Sequence, residues 1–240
     1  MSRFANRAGA AAETERSTTI AVPEAGSVSA LIERPESARF ALVLAHGAGA
    51  GMRHPFMAAI ANRLAARGVA TLRYQFPYME AGGGPPDRPA LLVATVQAAV
   101  DAAREQLAGL PLFAGGKSLG GRMTSTAASA GVIQEAKGIV FFGFPLHPPG
   151  RPGNTRAAHL EDVSQPMLFL QGTRDTLAEL DLLRPVCRDL GARAQLHVVA
   201  GADHSFHVLK RSGRDDEAVL DELADRSVEW MQAIAGTARS

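Results

Sequence analysis

Cysteine is almost absent from this sequence, which contains a single one, Cys187. One thiol excludes an internal disulfide, and no Cys-x-x-Cys pair or cysteine–histidine cluster is present to hold a structural zinc ion. Such a chain suits a reducing compartment, so we expect a cytoplasmic protein. Cys187 falls among leucines of a predicted helix, where a small buried residue is expected.

An excess of one charge is also lacking, as are long apolar runs. The chain has 25 basic and 24 acidic residues and a formal net charge of +1, which gives no electrostatic reason to expect nucleic acid or an anionic membrane as a partner. No apolar stretch reaches the about 18 residues of a transmembrane helix. Residues 1–17 lack the long apolar run and cleavage site of a secretory signal. We expect these residues to form a mobile tail and residues 18–240 to form one domain, as a monomer or homodimer.

Short apolar runs alternate with segments of helical period along most of the chain. This pattern is typical of crossover helices that join parallel strands, and it predicts an α/β fold with a mostly parallel sheet of about seven to eight strands. The predicted strands are 19–22 and 27–33 as a hairpin, then 40–45, 69–74, 111–114, 139–142, 167–170 and 195–199. Residues 145–165 are rich in proline and glycine, which predicts a loop and not a helical lid.

The segment Gly116-Lys117-Ser118-Leu119-Gly120 fits the nucleophile-elbow pattern between a predicted strand and a predicted helix. A serine on so tight a turn takes a strained backbone conformation, and the positions two before and two after it have room only for very small residues. Gly116 and Gly120 meet that demand. Ser118 is therefore the candidate nucleophile, and the Leu119 amide at the helix N-terminus is a candidate oxyanion donor.

A second oxyanion donor is expected from the glycine-rich loop His46-Gly47-Ala48-Gly49, which follows the predicted strand 40–45 directly. Glycines allow the backbone to approach a substrate carbonyl closely, so the Ala48 amide is the candidate. Gly47 and Gly49 are alternatives in register. A plain glycine-rich turn is the alternative without function.

Serine needs a base, and the base needs an orienting carboxylate. Asp175 follows strand 167–170, His204 follows strand 195–199, and the order serine, acid, histidine is the one this kind of site uses. Asp162 is a weaker candidate acid. His207 competes with His204 for the role of base, and His204 is favoured because it lies nearer the end of the strand. Asp203 is expected to shape the turn, since adjacent side chains rarely face each other.

The stretch Gly115 to Arg122 reads Gly-Gly-Lys-Ser-Leu-Gly-Gly-Arg, and with its context it resembles the elbow of the α/β-hydrolase superfamily, more narrowly the small dienelactone-hydrolase-like branch. The resemblance spans about residues 20–235. It implies a carboxylesterase-like serine hydrolase that acts on a small acyl substrate without a cofactor. Dienelactone hydrolases use a cysteine nucleophile, so lactone specificity is not implied. The branch also resembles scaffold proteins, and a catalytically silent binding protein is the alternative function.

Several neighbouring side chains are candidates for the pocket. Gln75, Phe76 and Tyr78 follow a middle strand, and the two aromatic residues could equally belong to the core. Lys117 is the variable residue of the elbow, either paired with a carboxylate or exposed to solvent. His46 is expected to have a polar role around the pocket.

Two rival sites fail on spacing. A phosphate-binding P-loop would need a glycine five residues before Gly116, where the chain has Pro111. His46, His54 and Glu80 lack the ligand spacing or helix motif of a catalytic zinc site. We therefore expect no cofactor and no metal.

Overall fold

Eight strands form a single sheet in a computed structural model that describes residues 15–237. In chain order the strands are β1 (Glu15–Val22), β2 (Gly26–Glu33), β3 (Phe40–Ala45), β4 (Val69–Tyr74), β5 (Leu112–Lys117), β6 (Ile139–Phe142), β7 (Met167–Gly172) and β8 (Ala194–Val199). Their order in the sheet is β1-β2-β4-β3-β5-β6-β7-β8. Strands β3 to β8 run parallel, and β1 and β2 pair antiparallel at one edge. The α/β prediction with a mostly parallel sheet is confirmed.

Helices cover both faces of the sheet. They are α1 (Pro55–Ala65), α2 (Pro77–Glu80), α3 (Pro89–Gln106), α4 (Leu119–Ser129), α5 (Leu180–Asp189) and α6 (Asp216–Thr237). Side chains of α3, α4 and α5 pack into a core cluster on one face, and those of α1 and α6 pack into a second cluster on the other face. Strands β3 to β7 are therefore buried on both sides, which explains their continuous apolar runs.

The structure differs from the predicted elements at several places. Strand β5 runs on to Lys117 and β7 to Gly172, and helix α2 was not predicted. Glu15 to Ser17 belong to β1 and not to the expected tail, because they pair with β2; residues 1–14 of that tail lie outside the described residues. Residues 145–165 contain a 3-10 helix, Thr155–Asp162, which packs on α4. The helix expected from Leu177 begins only at Leu180, because the Leu177 amide donates to the Asp175 side chain.

Within residues 15–237, no helix combines the length and the apolar character needed to cross a membrane. The single cysteine lies buried in α5. Burial raises the pKa of the Cys187 thiol to about 12, so this side chain is a packing residue and a poor nucleophile.

Candidate active site

Ser118 lies between β5 and α4 with φ +51° and ψ −114°, a backbone conformation that costs energy for any residue with a side chain. The two flanking glycines allow this turn. A Cβ atom on Gly116 would lie 2.5 Å from the Ala45 carbonyl oxygen, and one on Gly120 would lie 2.5 Å from the same atom. Strand β3 thus touches the elbow backbone directly. The tight contact turns the Ser118 side chain out of the sheet at its carboxyl edge.

The structure brings the three predicted side chains together. The Ser118 Oγ lies 2.9 Å from His204 Nε2, and His204 Nδ1 lies 2.7 Å from Asp175 Oδ2. Because Asp175 accepts at Nδ1, the Nε2 atom is left to accept the hydroxyl proton of Ser118. The Asp175 side chain is almost fully buried, whereas the His204 ring keeps about a fifth of its surface exposed. This is the geometry of a hydroxyl activated by an oriented base.

Both oxygens of Asp175 are occupied. Its Oδ1 accepts the Leu177 amide at 2.8 Å, and its Oδ2 accepts the Gln171 side-chain amide in addition to the His204 ring. The Gln171 Oε1 atom in turn accepts the Phe144 amide at 3.0 Å. Sequence reasoning missed Gln171, although a polar residue directly after the apolar run 167–170 was a signal for it.

The alternative acid and base lie elsewhere. The His207 ring is exposed and bonds to Asp216 at 2.9 Å, at the start of α6. Asp162 ends the 3-10 helix with its side chain exposed. The Asp203 side chain accepts the amides of Ser205 and His207, so it shapes the turn as expected.

A second serine–histidine pair joins α4 to the 3-10 helix, with Ser125 Oγ 2.8 Å from His159 Nε2. The Ser125 hydroxyl is buried in α4 and already donates to the Arg122 carbonyl, so its proton is not available to the histidine. Burial and the Arg122 charge lower the pKa of His159. In the described part of the chain no carboxylate bonds to His159, and the pair lacks the oriented base of Ser118.

His46 holds the glycine-rich loop from inside the protein. The ring is fully buried, its Nε2 accepts the Phe76 amide at 3.0 Å, and its Nδ1 therefore donates to the Gly47 carbonyl at 2.8 Å. Burial lowers the pKa of His46 to about 4, while the bond to Gly47 opposes the shift. A neutral imidazole thus links the loop that carries Ala48 to the turn after β4.

The same loop is held from its other side by a buried arginine. The Arg73 guanidinium donates to the Met52 carbonyl at 3.3 Å and pairs with Glu33 at 3.4 Å and with Glu15. The Gln75 Oε1 atom accepts the Met52 amide at 2.9 Å. Both polar groups of Met52 are therefore bound to strand β4 and the residue after it, which restrains the loop next to Ser118.

A cavity of about 180 Å³ opens at Ser118. It is lined by Gly47, Ala48, Ala50, His54, Phe56, Met57, Lys117, Ser118, His204 and Ser205. Ala48 lies in the wall of this cavity, and the Leu119 amide begins α4, where it has no acceptor within the helix. The larger depression of about 450 Å³ between β1 and α3 contains none of these residues.

Five of the predicted pocket residues do not line the cavity at Ser118. Phe76 and Tyr78 are core residues whose rings pack against His46. The side-chain oxygen of Gln75 accepts a hydrogen bond from the Met52 amide. None of these three predicted residues lines the cavity, and neither do Gly49 and the buried His46. The chain turns sharply into α2 after β4, which carries the side chains of Gln75, Phe76 and Tyr78 beneath the loop instead of into the opening.

Comparison with known proteins agrees with this architecture. Residues 38–232 match the family described as an alpha/beta hydrolase domain. The fold is similar to that of dienelactone hydrolase from Anabaena variabilis, at 20% identity and a TM-score of 0.74 over 92% of this chain and 98% of that one. It is also similar to an alpha-beta serine hydrolase homologue from Coxiella burnetii (19% identity, TM-score 0.72, 91% and 98% covered). A third similar structure is XC6422 from Xanthomonas campestris, described as a serine hydrolase without a lid. It has 19% identity and a TM-score of 0.68 over 91% of this chain and 97% of that one.

Proposed function

The chain belongs to the alpha/beta hydrolase family, and from that premise we propose that it is a serine hydrolase for small carboxylic esters or thioesters. The observation that carries the proposal is the continuous hydrogen-bonded chain from Ser118 through His204 to the buried Asp175. Ser118 lies in a strained turn beside an open cavity, so a substrate can reach its hydroxyl group. The buried hydroxyl group of Ser125 lacks such access.

The proposed reaction has two halves. Ser118 Oγ attacks the acyl carbon while His204 Nε2 takes the hydroxyl proton, and the Asp175 carboxylate stabilises the imidazolium. The Ala48 and Leu119 amides bind the oxyanion. The leaving alcohol or thiol receives the proton from His204, and an acyl-enzyme remains on Ser118. Water, deprotonated by His204, then releases the acid and restores the serine.

The nucleophile is tested with a fluorophosphonate probe, which reacts with activated serines. We expect the protein to be labelled and the Ser118→Ala variant not to be labelled. Ser125→Ala is a matched control, because Ser125 also bonds to a histidine but lies buried in α4, and we expect it to be labelled like the unaltered protein. Absence of labelling in the folded, unaltered protein would contradict the hydrolase and leave a binding or scaffold role.

The cavity size supports a short acyl group. A space of about 180 Å³ with Phe56 and Met57 in its wall can enclose an acyl chain of a few carbons, whereas a longer chain would extend into solvent and gain no burial. We expect kcat/KM for p-nitrophenyl acetate or butyrate to exceed that for the palmitate by about tenfold or more. The esters are compared in the same detergent, and a preference for palmitate would contradict the short-chain proposal.

We also propose that the only partner the reaction needs is the small acyl substrate itself, with no nucleic acid and no membrane. The near balance of charge supports this, since it supplies no excess of cations for binding phosphates.

A further inference from the structure

We propose that Lys117 is a positioning residue, whose ammonium group holds the turn that carries His204 and thereby keeps the imidazole between Ser118 and Asp175. The inference rests on the proposed function of Ser118. It assigns a task to the variable position of the elbow, which the reaction described above does not use.

The contacts of Lys117 differ from both expectations for it. Its Nζ donates to the backbone carbonyl of His204 at 2.6 Å, instead of pairing with a carboxylate or extending into solvent. The same atom lies 5.9 Å from the ring centre of Phe56 and 5.5 Å from that of Phe206, within the range of cation–π attraction. A Cβ atom on Gly47 would lie 3.6 Å from Lys117 Cγ, so the stem of Lys117 lies close to the glycine-rich loop while its ammonium group bonds to the His204 turn.

The fit beside His204 is close. A Cβ atom on Gly143 would lie 3.3 Å from Lys117 Nζ and 3.5 Å from the His204 ring, so a glycine leaves room for both groups. The turn itself is under strain, because Phe206 has a φ of +65°. A charge-assisted bond to the His204 carbonyl fixes the peptide from which the imidazole projects.

Burial makes this ammonium costly. In the part of the chain that the structure describes, no carboxylate oxygen lies within 4 Å of Lys117 Nζ. The charged groups facing it are Asp175 after β7 and Asp203 after β8, with His204 as the titratable neighbour. Desolvation lowers the pKa of Lys117 to about 8 although both aspartates oppose the shift. A desolvated charge without an ion-pair partner destabilises a fold, so its benefit is expected in activity.

The experiment compares Lys117→Met, which keeps the stem without the charge, with Lys117→Arg, which keeps a permanent charge that also stacks on aromatic rings. Arg174→Met is the matched control, since the exposed Arg174 donates to the Gly201 carbonyl of the same turn at 3.1 Å. For each protein we measure kcat and KM for p-nitrophenyl acetate from pH 6 to 10, the Tm, and the rate of fluorophosphonate labelling.

Lys117→Met is expected to lower kcat at pH 7 by about 10- to 100-fold with little change in KM, because the base is misplaced and the cavity wall is kept. Its Tm is expected to equal or exceed that of the unaltered protein. Lys117 loses its charge as the pH rises through about 8, and its neutral amine donates to the His204 carbonyl more weakly, so kcat of the unaltered protein should fall over this range. Both variants should lack that fall, Lys117→Arg should recover most of kcat, and Arg174→Met should stay within about twofold of the unaltered kcat.

Unaltered kcat in folded Lys117→Met would overturn the inference, as would a loss of kcat matched by an equal loss in Arg174→Met. If Lys117→Met does not fold, an alkaline fall that persists unchanged in Lys117→Arg overturns it. Failure of the proposed function is distinct, because the unaltered protein would then not be labelled at Ser118 at all.

Discussion

Replacing Asp175 by asparagine is expected to lower kcat for p-nitrophenyl acetate by about 10⁴-fold while the protein stays folded. The Leu177 amide needs an oxygen at the δ1 position, so the new amide nitrogen would occupy δ2, opposite His204 Nδ1. That nitrogen donates, and the histidine would then carry its proton on Nε2, facing Ser118. A protonated Nε2 cannot accept the hydroxyl proton.

The side chains around residue 175 cannot restore an acceptor opposite His204 Nδ1. Gln171 also donates to the δ2 position, and it cannot reverse its amide without losing the bond from its Oε1 to the Phe144 amide. Asp216→Asn provides the matched control, because Asp216 bonds to His207 at a similar distance outside the cavity. Its kcat is expected to stay within about twofold. If Asp175→Asn keeps a tenth or more of the unaltered kcat, the assignment of Asp175 is wrong.

Replacing Gly120 by alanine is expected to lower the free energy of unfolding by about 3 kcal/mol or more, or to prevent folding. The new Cβ would lie 2.5 Å from the carbonyl oxygen of Ala45 and 2.6 Å from that of His46. Both atoms belong to the backbone at the end of β3, a strand buried on both faces, so they cannot move aside. Helix α4 cannot easily shift either, because Gly116 packs against Gly120 and Gly121.

Urea denaturation of Gly120→Ala and Gly153→Ala measures the effect. A Cβ atom on Gly153 would meet no other atom of residues 15–237 within 4 Å, and alanine there is expected to change the free energy of unfolding by about 0.5 kcal/mol or less. An unchanged midpoint for Gly120→Ala would mean that the contact between β3 and the elbow is looser than the distances indicate.

The parallel strands were the most predictable part of the fold. Strands β3, β4 and β6 have the predicted bounds, because strands buried on both faces appear as unbroken apolar runs between turns. The 3-10 helix at Thr155–Asp162 was not predicted. The residues before it are rich in proline and glycine and predict a loop, and the helix is stabilised by packing on α4, which no local pattern indicates.

For the candidate site, local sequence patterns predicted where the residues lie along the chain, but they did not predict which side chains contact each other. The glycines around Ser118 point to a tight turn because steric demand acts between atoms close in sequence. The sequence allowed Phe76 and Tyr78 to lie either in the pocket or in the core, and the turn into α2 places them in the core. The bond from Lys117 to His204 joins residues 87 apart in the chain, and no local pattern encodes it.

The sequence by itself determined the alternation of strands and helices, the tight turn at Ser118 and the edge of the sheet at which the acid and the histidine lie. The sequence favoured His204 over His207 only because His204 lies nearer the end of the preceding strand, and the partner that each ring meets was decided by the tertiary structure. The two are three residues apart in one turn, and Asp203 and the positive φ of Phe206 send their rings in different directions. His204 meets Asp175 and Ser118, whereas His207 meets Asp216, because the packing of β7, β8 and α6 decides which partner each ring can reach.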